Sequence, residues 1–308
     1  MVSMMTRSIA MVCVCALACA PAPRPTAVPA PSQLSQLWEE PRDLESRDLF
    51  FGRGGREYVP DPNANYKLEN LDTKGHSKGY EVLDPTGRKW DVKIGDEAQS
   101  EVVVSRLLWA IGYRQPIVHY VTGWKLSGGP TASPEPGRFR LKDDHKSDGE
   151  WSWKDNPFVA TQPLRGLVVV NILLNNWDLA ASQNRIYKLK GKGDDGERWY
   201  VVQDLGTALG KPRWPLGSRN DIDGFEKGGF VRGAKDGRVD WAYGGRHKDL
   251  LRDVTPEDVV WACRLLSRLS EKQLDDAYRA AGYSAELRAR FIGRMRVKID
   301  QGLALKQE

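Results

Sequence analysis

The chain has 308 residues, of which 40% are hydrophobic and 28% charged, and its net charge is +5. That size accommodates one large domain or two lobes. Positive and negative residues interleave, so no Lys/Arg stripe of the kind that binds nucleic acid is expected, and no apolar run reaches the roughly 18 residues of a membrane-spanning helix.

Residues 1–20 read as a secretory signal peptide. Arg7 supplies the positive start, residues 9–18 a short apolar run, and Ala16-Leu17-Ala18 the small residues of a cleavage site. Ala18-Cys19 also resembles a lipobox, with Ala16 where Leu is usual, so a lipid on Cys19 is the one membrane attachment expected. The expected location is extracytoplasmic: periplasmic, lipid-anchored or secreted. Either cleavage removes Cys13 and Cys15 and leaves Cys263 alone in the body, as core filler rather than a reactive thiol. Residues 21–44 begin with a Pro/Ala-rich stretch too stiff and polar to build a core, and are expected to form a linker. An N-lobe over 45–160 and a C-lobe over 161–308 complete the expected chain.

Residues 66–70, 79–84 and 89–94 read as strands, the last two joined in a hairpin by Pro85-Thr86-Gly87. The small-residue loop before residue 79 carries Lys74, Gly75, His76 and Lys78 and could lie over phosphates. Residues 97–111 read as a helix with Val103, Leu107, Leu108 and Ile111 on its apolar face, ended by Gly112. A strand is expected over 116–124 and a long loop over 126–156. Residues 164–177 are apolar nearly all round, hence a buried helix. Strands at 185–190 and 199–203 flank the turn GKGDDGE. Residues 211–250 are polar and Gly-rich, either an acceptor-binding surface or a plain loop. Helices begin at Thr255-Pro256 and at the capping box Ser270/Gln273, and a last one carries Leu287, Phe291, Met295 and Ile299.

Four features occur in a telling order: Lys93 in a strand, Glu97 and Glu101 one turn apart on the next helix, Asp178 followed by Gln183-Asn184, and Asp204-Leu205-Gly206 after a hairpin. A strand Lys steadied by a helix Glu can hold triphosphate oxygens. An Asp and an amide offer hard oxygens to magnesium. A further Asp can orient an acceptor hydroxyl. Taken singly, each is ordinary: a surface Lys, a solvated helix face, turn residues. His76, His119, His145 and His247 lack metal-ligand spacing.

This set, with NNWDLAASQNRIY followed by a short hairpin and DLG, resembles the protein-kinase-like superfamily, and most of all its atypical HipA-type, CotH-type and secretory-pathway members. The resemblance covers about residues 60–210. It implies an α+β, bilobal kinase-like fold with an antiparallel N-lobe sheet, one helix, and a mainly helical C-lobe. It implies ATP with Mg2+ or Mn2+, and a protein or small-molecule acceptor. Lys93, with Lys74, Gly75 and Lys78, would contact nucleotide, Glu101 (alternatively Glu97) would pair with Lys93, Asp178 would be the catalytic Asp, and Asp204, Asn184 and Gln183 would hold the metal. The pattern departs in three places. No His-Arg precedes Asp178, the residue five beyond it is Gln183 rather than Asn184, and no GxGxxG loop exists. A pseudokinase scaffold is therefore the first rival. An unrelated secreted α+β binding protein is the second, should these side chains not converge.

Overall fold

Asp84 begins the tightest local structure of the N-terminal half. Its side chain accepts hydrogen bonds from Thr86 N (2.9 Å) and Arg88 N (3.0 Å), and Gly87 adopts the positive φ of +86° that closes the turn. The hairpin so formed joins strand β2 (Gly79–Leu83) to β3 (Lys89–Ile94). The computed structural model containing it describes residues 29–72, 79–129, 135–190 and 197–305. The signal peptide with Cys19, and Lys74, Gly75, His76 and Lys78, lie outside the described residues.

A six-stranded sheet grows around this hairpin. With β1 (Asn65–Asp72), β4 (Val118–Val121), β5 (Lys125–Ser127) and β6 (Gly137–Leu141), the order is β4-β6-β3-β2-β1-β5. All pairings are antiparallel except β1 with β5. Alternation in β3 sends Trp90, Val92 and Ile94 into a core with Tyr66, Val82, Phe139 and Leu141. Lys93 therefore emerges on the other face. Strand β6 corrects the expected loop over 126–156. Its sequence GRFRL alternates, but two of its side chains are arginines. They are nonetheless buried, because Arg138 and Arg140 pair with Asp91 and Glu101.

Short helix α1 (Pro31–Leu34) precedes Leu37 and Leu44, which are fully buried, and Trp38 bridges to Tyr113. The later part of the expected linker is thus packed on the body. Helix α2 (Glu97–Ala110) is buried nearly all round because sheet and C-terminal helices cover opposite faces. It ends where Gly112 takes a φ of +101°, and a Cβ there would collide with Glu39 O.

The second lobe holds the larger core. Residues 145–160, assigned by sequence to the N-lobe, join it. Strand β7 (His145–Ser147) pairs with β8 (Asn184–Leu189), which pairs with β9 (Arg198–Val202), and Trp151, Trp153 and Phe158 pack among the helices. Helix α3 (Gln162–Leu173) stops short of the expected Trp177 because Asn175 turns left-handed, at φ 57°. Residues 211–250 contain helix α4 (Ile222–Lys227) and a hairpin of β10 (Val231–Lys235) with β11 (Arg238–Trp241), not a plain loop. The expected cap at Thr255 starts α5 (Pro256–Ser267), where it forms a capping box with Asp258, and the expected capping box Ser270/Gln273 starts α6 (Glu271–Ala280). Ser284 caps α7 (Ala285–Leu303). Helices α3, α5 and α7 close around Val170, Val259, Leu266, Met295 and Ile299. Cys263 lies buried among them, and burial pushes its thiol up to about 12. The fold is α+β: a sheet-rich N-lobe on a mainly helical C-lobe, the two-lobed arrangement expected. Among the described residues no helix is long and apolar enough to cross a membrane.

Candidate active site

The site is built on the meeting of β3, α2 and the Asp204 turn. Gly95, with φ +100°, turns the chain from β3 into α2, so Lys93 lies over the helix's first two turns. Its Nζ is 2.8 Å from Glu97 Oε2, 3.4 Å from Glu101 Oε2 and 3.0 Å from Asp204 Oδ1. Both helix glutamates named from sequence engage the amine, Glu97 more closely. Each has a second cation: Arg219 lies 3.1 Å from Glu97 Oε1, and Arg138 lies 2.8 Å from Glu101 Oε1.

Burial would lower the Lys93 ammonium, but Glu101, Asp204 and Glu97 together hold it above the ordinary lysine range. Burial would raise the Asp204 carboxyl. The adjacent Lys93 charge and hydrogen bonds from Lys93 and Gly206 N hold it below the ordinary range.

Gly206 explains the small residue in Asp-Leu-Gly. A Cβ at this position would lie 2.5 Å from Glu97 Cβ, so helix α2 can pass only over glycine. Ser100 Oγ donates to Gly206 O at 3.0 Å, and Leu205 is fully buried. Turn and helix are therefore fastened together at Asp204.

The loop carrying Asp178 is anchored before it arrives. Lys298 of α7 is fully buried. Its Nζ donates to Leu173 O (3.0 Å) and Asn175 Oδ1 (2.6 Å) and stands 4.0 Å from the Phe225 ring centroid. Burial, with repulsion from Arg294, pushes this amine well below its ordinary value. Asn175 Nδ2 continues to Gly210 O at 2.7 Å. Asn176, fully buried, donates to Asn171, accepts from Thr207, and its carbonyl accepts from Tyr243 OH at 2.9 Å. These contacts stand where the expected pattern has His-Arg.

Asp178 emerges partly exposed. Arg246 Nη1 is 3.3 Å and His247 Nε2 3.7 Å from its Oδ1, and Gln183 Nε2 donates to Oδ2 at 3.4 Å. Gln183 O accepts from Asp204 N at 3.2 Å. Gln183 thus links the two aspartates. Asn184, the other amide expected at the metal, is fully buried, and its Nδ2 donates to Trp151 O at 3.1 Å. Its Oδ1, the atom a metal would meet, is buried without a hydrogen-bond partner among the described residues. Gln183 is the amide beside Asp178.

Arg138, Arg140, Arg219, Arg246, His247 and Lys298 were not legible as site residues. The alternation of GRFRL was the one signal available for the first two. The others come from segments without periodicity, or from helix α7, where a Lys reads as surface.

Among the described residues no three His, Cys, Asp or Glu side chains form a metal-holding group. The donor set nonetheless fits magnesium. That ion is commonly held by one or two protein oxygens, with water and phosphate completing its octahedron, and Asp204, Gln183 and the unpartnered Oδ1 of Asn184 offer such oxygens.

In a comparison with solved structures, the chain is similar to the Helicobacter pylori proinflammatory kinase CtkA. The TM-score is 0.47 at 11% identity, covering 78% of this chain and 96% of that one. No family model and no curated protein matches the chain.

Proposed function

We propose that the chain is an ATP- and divalent-metal-dependent phosphotransferase, an atypical kinase acting outside the cytoplasm on a protein hydroxyl or a small molecule. The observation that carries the reading is the position of the Lys93 ammonium, held between the α2 glutamates and Asp204. An amine so fixed is aimed and charged before any ligand arrives, which is what positioning catalysis of phosphoryl transfer requires. Lys93 would bind α/β-phosphate oxygens, joined by Lys74, Gly75 and Lys78 of the loop before β2. Asp204, with Asn184 and Gln183, would hold Mg2+ or Mn2+, which would supply neutralisation of phosphate charge. Asp178 would orient the acceptor hydroxyl and accept its proton. The extracytoplasmic location rests on the N-terminal signal pattern.

A pseudokinase that binds nucleotide or a partner without transfer is the second reading. It is favoured by the engagement of Asp178 with Arg246. Two measurements separate the readings. ATP with Mg2+ or Mn2+ is expected to raise the melting temperature of the wild type. Radiolabelled phosphate from [γ-32P]ATP is expected in the wild type and absent in Asp178→Ala and Asp204→Ala. Equal label in all three proteins, or none in any, removes the enzyme reading. A thermal shift without transfer establishes the pseudokinase.

A further inference from the structure

The loop beyond Asp204 exposes what a folded surface usually hides. Trp214 is 50% and Leu216 71% exposed, two of five large apolar side chains so placed among the described residues, and they are neighbours. Their loop is fastened on both sides. Trp214 N donates to Gly244 O (3.1 Å), Arg213 bridges to Gly244, and Trp177 Nε1 donates to Ser218 O (3.0 Å). Trp177 immediately precedes Asp178, and its ring centroid is 5.9 Å from that of Trp214. The apolar pair is therefore held at a fixed place beside the candidate catalytic carboxylate.

The cations nearest the pair outnumber the acids left free. Arg246 lies 4.1 Å over the Trp214 ring and reaches Asp178. Lys211 and Arg213 are exposed and form no ion pair with the described residues. The nearby acids are engaged: Asp221 accepts from Ser218 Oγ and Gly224 N, and Asp249 pairs with Lys154. A small anion could satisfy Arg246 but would leave Trp214 and Leu216 uncovered. A nucleic acid could stack on Trp214 but has no use for an aliphatic Leu216. An extended chain with alternating acidic and apolar residues matches both features.

We propose that Arg213, Trp214, Leu216 and Arg246 form the docking face for an acidic polypeptide segment, whose hydroxyl side chain is thereby presented to Asp178. Phosphate transfer to the docked segment rests on the phosphotransferase reading, whereas docking itself does not. An acidic residue next to the hydroxyl pairs with Arg246 and draws it from Asp178, freeing that carboxylate for the hydroxyl. A second takes Arg213, and an apolar one covers Trp214 and Leu216.

The test uses the full chain and fluorescently labelled short peptides, identical except that Asp/Glu or Lys flank a central Ser. Anisotropy is expected to show the acidic peptide bound at least about tenfold more tightly than the basic one. Arg213→Glu, and separately Trp214→Ala with Leu216→Ala, are expected to weaken it about tenfold. Neither set touches the Lys93 cluster, so the ATP-induced thermal shift should be unchanged and serves as the folding control. Equal affinity for both peptides, insensitivity to these substitutions, or preferential displacement of the peptide by a single-stranded oligonucleotide overturns the proposal. Docking without phosphate transfer sinks the enzyme reading alone. Transfer without acidic preference sinks the docking face alone.

Discussion

Lys93 Nζ and Asp204 Oδ1 are 3.0 Å apart, although 111 residues separate them along the chain. The contact spans the two lobes, from the end of an N-lobe strand to the turn after a C-lobe hairpin. With Glu97 and Glu101 on the same amine, one cation organises three carboxylates.

Replacement of Lys93 by Met should show what that organisation is worth. Glu101 keeps Arg138 and Glu97 keeps Arg219, but Asp204 loses its cation. The expected loss of stability is about 1–2 kcal/mol, less than for a fully buried pair because the Asp204 side chain is 32% exposed, read by urea unfolding. The ATP-induced thermal shift should vanish. Lys93→Arg should restore stability more than nucleotide binding, because a planar guanidinium cannot reproduce a point ammonium. A Met variant that still responds to ATP would detach Lys93 from the nucleotide.

Gln183 and Asn184 adjoin in sequence and should differ sharply in effect. Asn184→Ala leaves the Trp151 carbonyl without its donor inside the protein, which should destabilise the fold by about 1–3 kcal/mol, and removes the unpartnered Oδ1, which should raise the Mg2+ or Mn2+ concentration needed for half-maximal response. Gln183→Ala should fold as the wild type and raise that concentration less. An unchanged concentration in Asn184→Ala would leave the metal to Asp204 and Gln183.

The Asp204 carboxyl implies a pH dependence of definite sign. Its folded value lies below the ordinary 3.8, so the folded state binds its proton less readily than the unfolded chain. Its contribution is present above that value and lost as pH falls through the folded one. Asp204→Asn removes the titration. The difference in urea midpoint between wild type and Asp204→Asn should hold steady from about pH 7 to about pH 5 and shrink below about pH 4. A difference that grows on acidification would contradict the pairing with Lys93.

Gly206→Ala tests the fastening of turn to helix. The added methyl meets Glu97 Cβ at 2.5 Å, which is backbone-near and cannot swing away. Helix and turn must separate, at roughly 1–3 kcal/mol for overpacking. The ATP-induced thermal shift should fall with it, since Glu97 and Asp204 are both displaced from Lys93. A stable variant with an unchanged response would mean that the contact is merely close.

By itself the sequence determined the parts whose forces are local. Period-two alternation marked the β2–β3 hairpin, and turn chemistry at Pro85-Thr86-Gly87 joined it. A period-3.6 stripe behind Thr255-Pro256 marked α5, and a capping box marked α6. The chain order of Lys93, Glu97, Glu101 and Asp204, read with a family resemblance, named side chains that the fold brings together, and Gln183 links Asp178 to Asp204. Only the tertiary structure decided matters settled by partners remote in the chain. Arg138 and Arg140 look solvent-facing until Asp91 and Glu101 neutralise them, so β6 does not stand out within a Gly- and Pro-rich stretch of little periodicity. Lys298 looks like helix surface until Leu173 and Asn175 receive its hydrogen bonds. Gln183 and Asn184 could not be separated by type, since both carry an amide. Only the fold turned Asn184 Nδ2 inward to Trp151 O and set Gln183 Nε2 beside Asp178, because Asn184 opens strand β8 while Gln183 still belongs to the helical turn before it.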